Sequence, residues 1–121
     1  MEDYNKIKII ISDIDGVWTD GSVYKGTDNM EFKKFSVFDG VGVAYARAAD
    51  LKIAIISARY SPATEYRAKE LNIKDCYNGG LNKLHAYNEI KQKYSLSDNM
   101  IAYLGDDMVD LPVMELVGLP I

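Results

Sequence analysis

The chain has 121 residues, the length of one domain, and 48% of them are apolar, enough to bury a core. The formal net charge of −4 argues against a nucleic-acid-binding surface, and no apolar run approaches the ~20 residues of a membrane-spanning helix. The amino-terminal residues lack a signal-peptide pattern, and the single cysteine, Cys76, cannot form an internal disulfide. We therefore expect one cytoplasmic domain over residues 1–121, with no membrane or nucleic-acid partner.

The first third of the chain predicts a strand, a hairpin and a helix. Residues 7–12 are rich in isoleucine, which is typical of a strand buried on both faces. Residues 23–24 and 32–37 flank a turn-rich segment at 26–29, a pattern that indicates a β-hairpin. A helix follows, and its predicted buried face has apolar residues at i, i+3, i+4 and i+7: Val41, Ala44, Tyr45 and Ala48.

The middle of the chain repeats the alternation of strand and helix. Residues 52–56 predict a second buried strand. Ser61 followed by Pro62 is typical of a helix start, with serine as the cap and proline in the first turn, and this helix should run to about Leu71. Residues 76–77 form a weaker strand candidate before two glycines.

The last third predicts two helices around another strand. The helix over residues 83–94 should face the core with Leu84, Tyr87 and Ile90. A strand at residues 101–104 precedes a final helix that has Pro112 in its first turn and ends at Gly118. Strands that alternate with helices predict an α/β fold: a Rossmann-like parallel sheet with helices on both faces and a β-hairpin inserted after the first strand.

Polar residues follow the predicted strands, and ligands bind at the carboxyl ends of strands in open parallel sheets. Asp13 and Asp15 follow the first strand, and Ser57 ends the second. A cluster of acidic residues follows the strand at 101–104, and Lys83 begins the helix after the third strand. Aspartates after strands are often turn formers or helix caps, and Asp107 and Asp110 could cap the last helix. Three strand ends with complementary chemistry instead favour a site for Mg²⁺ and phosphate, because a divalent cation relieves the repulsion among clustered carboxylates.

These residues resemble the four motifs of the haloacid dehalogenase superfamily of phosphatases. The segment DIDGVWTDG, beginning at Asp13, resembles the first motif; Ser57 and Lys83 match the second and third; and GDDMVD, beginning at Gly105, matches the fourth. The segments FDGVG and NGGLNKL, with the hairpin, are similar to a branch that has no cap domain. That branch contains 3-deoxy-D-manno-octulosonate 8-phosphate phosphatases, related nonulosonate 9-phosphate phosphatases and a domain fused to acylneuraminate cytidylyltransferases.

The resemblance implies a role for each matching residue. Asp13 would attack phosphorus and form an aspartyl-phosphate, and Asp15 would act as the general acid and base. Mg²⁺ would be held by Asp13, the backbone carbonyl of Asp15 and Asp106, supported from behind by Asp107 or Asp110. Ser57 and Lys83 would bind the phosphoryl oxygens.

Substrate contacts are predicted for four further residues. Gly16 leaves room for backbone amides to approach the phosphate. Arg59 and Arg67 have the guanidinium fork that suits a substrate carboxylate, although arginine on a helix is usually a solvated surface residue. Asp39 could line the entrance of the site or cap a helix. The resemblance implies a small phosphorylated 2-keto-3-deoxy sugar acid as the substrate.

The chain departs from the family at two places. Phe38 stands where many relatives carry a basic residue. The chain also stops at Ile121, where relatives continue into a glycine-rich tail that helps to close a neighbouring subunit's site. We therefore expect a shortened carboxyl end. The resemblance also implies a homotetramer assembled through the hairpin.

Two other classes of function remain as alternatives. One is a non-catalytic or weakly active assembly module, like the domain fused to cytidylyltransferases. The other is a phospho-receiver signalling domain. The Asp13–Asp15 pair and the hairpin disfavour it, and so does Ser57, which stands after the middle strand where the receiver aspartate is expected.

Overall fold

The computed structural model describes residues 3–121. Its strands and helices alternate along the chain, and a short hairpin lies between the first strand and the first helix. The strands are β1 (Ile9–Ser12), β2 (Tyr24–Lys25), β3 (Glu31–Phe32), β4 (Lys52–Ser57), β5 (Asp75–Asn78), β6 (Ile101–Leu104) and β7 (Leu119–Pro120). The helices are α1 (Val37–Ala48), α2 (Pro62–Glu70), α3 (Lys83–Tyr94) and α4 (Leu111–Met114), with short 3₁₀ turns at Tyr4–Lys6, Asp98–Met100 and Met108–Asp110.

Five strands form one parallel sheet in the order β5-β4-β1-β6-β7. Strand β1 lies in the middle, with β4 and β6 as its neighbours, so the residues that follow β1 lie at the centre of one sheet edge. The α/β prediction is confirmed, and no cap domain is inserted within residues 3–121.

The core lies on both faces of the sheet because consecutive strand residues point to opposite sides. In β4, Ile56 belongs to the cluster formed with α3 and α4, whereas Ile55 belongs to the cluster formed with α1 and α2. The predicted core face of α3 is confirmed: Tyr87 and Ile90 are fully buried, and Leu84 packs against them.

The predicted buried face of α1 is wrong. Val41, Ala44, Tyr45 and Ala48 are exposed, and Val43 and Ala46 contact the core instead. The apolar residues of α1 occupy more than one face, so periodicity alone could not show which face packs on the sheet. The exposed side, which we call the α1 outer face, comprises Val37, Phe38, Val41, Ala44, Tyr45 and Ala48.

Two other boundaries differ from the sequence predictions. The second hairpin strand was expected over residues 32–37 but ends at Phe32, because Ser36 already caps α1 by accepting a hydrogen bond from the Phe38 amide. The final helix was expected to end at Gly118 but ends at Met114. Gly118 instead lies against the backbone of Asn99, where a Cβ would come within 2.7 Å of the Asn99 Cα. In the described part of the chain, no helix has the length and apolarity to cross a membrane.

Glu31 attaches the hairpin to the loop after β4. Its carboxylate accepts hydrogen bonds from the Ser61 hydroxyl at 2.6 Å and from the Arg59 guanidinium, and Lys25 Nζ lies 3.2 Å away. The side chain of Glu31 is only 5% exposed. Ser61 occupies the N-cap position of α2, as predicted, but its hydroxyl donates to Glu31 and makes no hydrogen bond to the helix backbone. Hydrogen bonds from Arg59 and Ser61 lower the pKa of Glu31 to about 2.

Glu31→Gln should therefore destabilise the protein at neutral pH by about 1–3 kcal/mol, because a charged acceptor of several hydrogen bonds is lost. The lowered pKa means that this contribution is present above the ordinary carboxyl pKa and is lost as the pH falls towards about 2. Thermal unfolding of both proteins between pH 7 and pH 2.5 measures the difference, which should shrink on acidification. The exposed Glu115→Gln serves as the control. A difference that stayed constant with pH would contradict this assignment.

Candidate active site

Asp13 lies at the centre of the carboxyl edge of the sheet, directly after β1. Its amide donates to the Leu104 carbonyl at 2.9 Å, which continues the pairing of β1 with β6 by one residue. Its carboxylate oxygen Oδ1 accepts from the Ile14 amide at 2.8 Å and lies 3.1 Å from Lys83 Nζ. Asp13 is buried, and this burial raises its pKa to about 6 against the opposing charge of Lys83. At neutral pH the carboxylate is therefore mostly ionised and available as a ligand or a nucleophile.

Asp110 accepts the hydrogen bonds that fix the acidic edge, the end of the sheet where Asp13, Asp106 and Asp110 lie. Its Oδ1 accepts from Lys83 Nζ and from the Tyr103 hydroxyl, each at 2.6 Å, and its Oδ2 accepts from the amides of Asp106 and Asp107, each at 3.2 Å. Asp110 is completely buried. Burial pushes its pKa upwards, but the hydrogen bonds from Lys83 and Tyr103 outweigh that effect and hold the pKa below its ordinary value. Burial, together with the hydrogen bond to Asp110, raises the pKa of the Tyr103 hydroxyl.

Three carboxylates converge at this edge: oxygens of Asp13, Asp106 and Asp110 all lie within 4.8 Å of one another. Both oxygens of Asp110 already accept hydrogen bonds, so Asp110 supports the site rather than offering a free ligand atom. Asp13 and Asp106 are better placed to hold a cation, because Asp106 is exposed and its carboxylate accepts no hydrogen bond within residues 3–121. The prediction that carboxylates from different strand ends come together is confirmed.

Asp15 does not join that cluster. Its Oδ1 lies 2.6 Å from Lys33 Nζ, so the side chain turns towards the hairpin. The resemblance implies that Asp15 holds the metal through its backbone carbonyl, and this role requires nothing of the side chain. The carboxyl group is paired with Lys33, and its predicted role as general acid and base stays a prediction.

Gly16 is the point of closest approach between the two acidic loops. Its φ of +85° belongs to the left-handed region that glycine adopts without strain. A Cβ at this position would overlap Oδ2 of Asp106 and lie 2.7 Å from Asp106 Cγ. A larger residue here would adopt an unfavourable backbone angle and would have to displace the Asp106 carboxylate. Its predicted role in phosphate binding stays a prediction.

Ser57 and Arg59 lie at the end of β4. Ser57 is buried, and its hydroxyl donates to the Arg59 carbonyl at 3.2 Å. The guanidinium of Arg59 is paired with both oxygens of Glu31, so its position is set by the hairpin. Any contact between Arg59 and a substrate carboxylate would use the donors that this pairing leaves free.

The remaining predicted residues have local structural partners. Arg67 stacks on the Phe35 ring and donates to the Ser36 carbonyl at 2.9 Å, which ties α2 to the start of α1. Asp39 lies in the first turn of α1. Asp107 and Asp110 were alternatively expected to cap the last helix, but they reciprocally cap the 3₁₀ turn Met108–Asp110 that precedes it, and no side chain of the described residues caps α4. Substrate binding by Arg67 and Asp39 stays a prediction.

Glu31, Lys33 and Tyr103 were not predicted from the sequence as functional residues. Glu31 and Lys33 alternate with Phe32 along the hairpin strand, a pattern that indicates one charged face turned towards the protein. Tyr103 lies inside an apolar strand, where its hydroxyl requires a buried acceptor, and a buried tyrosine two residues before an acidic loop was the available signal.

Known proteins with this fold and these motifs identify the class. The profile of the haloacid dehalogenase-like hydrolases matches residues 53–121. The chain belongs to this family. It is 41% identical over 115 residues to the 3-deoxy-D-manno-octulosonate 8-phosphate phosphatase of Escherichia coli K12, an alignment covering 95% of the chain and 61% of that relative. The chain thus spans about three-fifths of the length of the curated relatives it matches.

Solved structures agree with the motif resemblance. A 3-deoxy-D-manno-octulosonate 8-phosphate phosphatase from Yersinia pestis superposes with a TM-score of 0.93 at 39% identity, covering 97% of this chain and 63% of that one. The enzyme from Moraxella catarrhalis, solved with a magnesium ion, a phosphate ion and KDO, has a TM-score of 0.88 at 34% identity, with 95% and 68% covered. The predicted relationship to the branch without a cap domain is confirmed.

Gly16→Ala should weaken divalent cation binding by about tenfold to a hundredfold, the usual effect of disturbing the groups around a metal ligand. The added methyl group would displace the Asp106 carboxylate, which it would otherwise overlap. Isothermal titration with Mg²⁺ measures the affinity.

Gly21→Ala is the matched control. Gly21 has nearly the same backbone angle, with φ of +87°, but a Cβ there would meet nothing within 4 Å. Both variants place alanine at a similar positive φ, and the Gly16 variant adds the contact with Asp106. Equal Mg²⁺ affinities in the two variants would show that the approach of Gly16 to Asp106 does not matter for the metal.

Proposed function

We propose that this protein is a Mg²⁺-dependent phosphatase that hydrolyses the phosphate ester of a small 2-keto-3-deoxy sugar acid. Octulosonate 8-phosphate is the first candidate, because relatives that share about 40% of this sequence are phosphatases of that compound, and nonulosonate 9-phosphates come next. The observation that carries the proposal is the Asp13 carboxylate, buried beside Lys83 and within ligand distance of Asp106. That arrangement combines a nucleophile, a phosphate-binding cation and a metal ligand set.

The reaction begins with attack on phosphorus by the Asp13 carboxylate. A bond forms between Asp13 and phosphorus, the ester P–O bond breaks, and Asp15 gives its proton to the leaving sugar oxygen. Asp15 then takes a proton from water, which attacks phosphorus, releases phosphate and restores Asp13. Lys83 and Ser57 bind the phosphoryl oxygens, and Lys83 holds Asp13 in line at 3.1 Å.

The metal would be held by Asp13 and Asp106, with the backbone carbonyl of Asp15 as a third ligand. When bound, Mg²⁺ supplies positive charge that offsets the negative charge of the phosphoryl group and of the acidic edge. The residues fit such an ion, because hard oxygen ligands converge and Asp106 is left exposed.

A non-catalytic assembly module is the second candidate. The exposed apolar residues of the α1 outer face support it, because Phe38 is 83% and Tyr45 73% exposed. The Asp13–Lys83–Asp110 arrangement disfavours a purely structural role: burying several charges costs free energy, which an apolar core would avoid.

Mg²⁺-dependent phosphate release should fall by roughly a thousandfold or more in Asp13→Asn, because the amide cannot act as the nucleophile. The assay uses octulosonate 8-phosphate, two nonulosonate 9-phosphates and p-nitrophenyl phosphate, each with Mg²⁺ and with excess chelator. The ranking of kcat/KM identifies the preferred substrate. A folded wild-type protein that binds Mg²⁺ but releases no phosphate from any of the four would favour the assembly module.

Assembly of four copies through the hairpin belongs to the same proposal. Tyr24 and Phe32 are paired across the hairpin, on the side opposite Glu31 and Lys33, and each is 57% exposed. The α1 outer face provides a second exposed apolar surface. Large apolar side chains in this number on one small domain are typical of an interface, and a second copy of this chain would cover them.

Replacing both Tyr24 and Phe32 by serine should shift the protein towards the monomer, because the apolar contact area of the hairpin is lost. Light scattering coupled to size-exclusion chromatography measures the mass. Tyr66→Ser is the control, because Tyr66 is 74% exposed on α2. If the double variant kept the wild-type mass, the hairpin would not be the interface.

A further inference from the structure

The inner face of the hairpin carries two charged residues into the protein. Glu31 and Lys33 are two residues apart, so their side chains project to the same side, and Phe32 between them projects outwards. Glu31 reaches Arg59 and Ser61, whereas Lys33 reaches Asp15. One short segment therefore contacts the site at two places.

Lys33 is buried to an unusual degree for a lysine. Its side chain is 0% exposed, and its ammonium donates to Asp15 Oδ1 at 2.6 Å and to Thr64 Oγ1 at 3.3 Å. Burying an ammonium group is costly unless a carboxylate compensates it, so the contact with Asp15 is required for Lys33 to occupy this position. Thr64 is itself fully buried in α2, which fixes the ammonium from a second side.

The constraint acts on Asp15 as well. Its carboxylate lies in the loop after β1 and is 27% exposed, so in the absence of Lys33 it could rotate into solvent. The contacts of Glu31, two residues before Lys33, fix the backbone that carries Lys33, and the Lys33 ammonium also donates to Thr64 in α2. The position of the Asp15 carboxyl is therefore set by the hairpin and α2 rather than by its own loop.

We propose that Lys33 is the positioning residue of Asp15: it holds the carboxyl group where the ester oxygen leaves, and it makes the placement of the hairpin a condition of catalysis. This inference rests on the proposed phosphatase function. The contact determines where the carboxyl group lies, and the proton transfer remains the work of Asp15. A displaced acid slows departure of a poor leaving group, which needs a proton, more than departure of a good one, which does not.

The test compares Lys33→Met with Lys34→Met, in which the exposed neighbouring lysine loses the same charge. For each protein, kcat/KM is measured with the preferred sugar acid phosphate, whose alkoxide leaves poorly, and with p-nitrophenyl phosphate, whose phenolate leaves readily. The value of kcat/KM reports the steps up to formation of the aspartyl-phosphate. Lys33→Gln, which keeps a polar end, is a second variant in case Lys33→Met folds poorly, and thermal unfolding checks both. Crystal structures of wild type and variant locate Asp15.

We expect Lys33→Met to lose roughly a hundredfold in kcat/KM with the sugar acid phosphate, the effect of misplacing a reacting group by about 1 Å, and far less with the aryl phosphate. Lys34→Met should match wild type with both.

An equal loss with both substrates, or no loss, would overturn the proposal. If wild type and Lys34→Met release no phosphate, the proposed function fails. The crystal structures then decide separately: a displaced Asp15 carboxyl in Lys33→Met supports the positioning role, and an unchanged one overturns it.

Discussion

The buried Asp110 carboxylate is the interaction on which the acidic edge depends. It gathers Lys83 from α3, the Tyr103 hydroxyl from β6 and two backbone amides of the loop after β6. Through Lys83 it fixes Asp13, and through the amides it fixes the loop that carries Asp106. An isolated carboxylate would not be stable in this position, and four donors compensate its desolvation. The same contacts make Asp110 unavailable as a free metal ligand, which separates the supporting residue from the ligands.

The parallel sheet and the placement of Asp13 at a strand end followed from the sequence because β-branched runs and strand–helix alternation constrain topology strongly. Only a few arrangements of βαβ units are possible, and all of them bring the strand ends to one edge. The packing of α1 did not follow. Its apolar residues exceed what one helix face can bury, so the sequence offered two candidate faces, and the contact with Ile55 and Ile73 determines which one packs.

The contacts of the hairpin were beyond sequence reasoning for a different reason. The turn residues and the alternation predict a hairpin, but its two-residue strands pair only with each other, as Tyr24 with Phe32 and Lys25 with Glu31. Nothing in local periodicity says where such a ribbon docks. Its position comes from long-range ion pairs of Glu31 with Arg59 and Lys33 with Asp15, which join residues 28 and 18 positions apart. Charged side chains on a short strand are usually solvated, so these pairs become evident only in the folded structure.

The charges around the site explain why a divalent cation suits it. The site contains four carboxylates: those of Asp13, Asp106 and Asp110 converge, and that of Asp15 turns towards the hairpin. Two ammonium groups compensate them, Lys83 at Asp13 and Asp110 and Lys33 at Asp15. Two negative charges are left over, and among these four carboxylates Asp106 is the one that forms no ion pair with the described residues. Arg59 does not change this balance because Glu31 already neutralises it. A phosphate ester would meet net repulsion at such an edge, and one divalent ion at the proposed ligands Asp13 and Asp106 would remove it. The two lysines determine where the carboxylates lie. The negative charge that they leave uncompensated favours a divalent cation, and that cation would in turn allow a phosphate ester to enter.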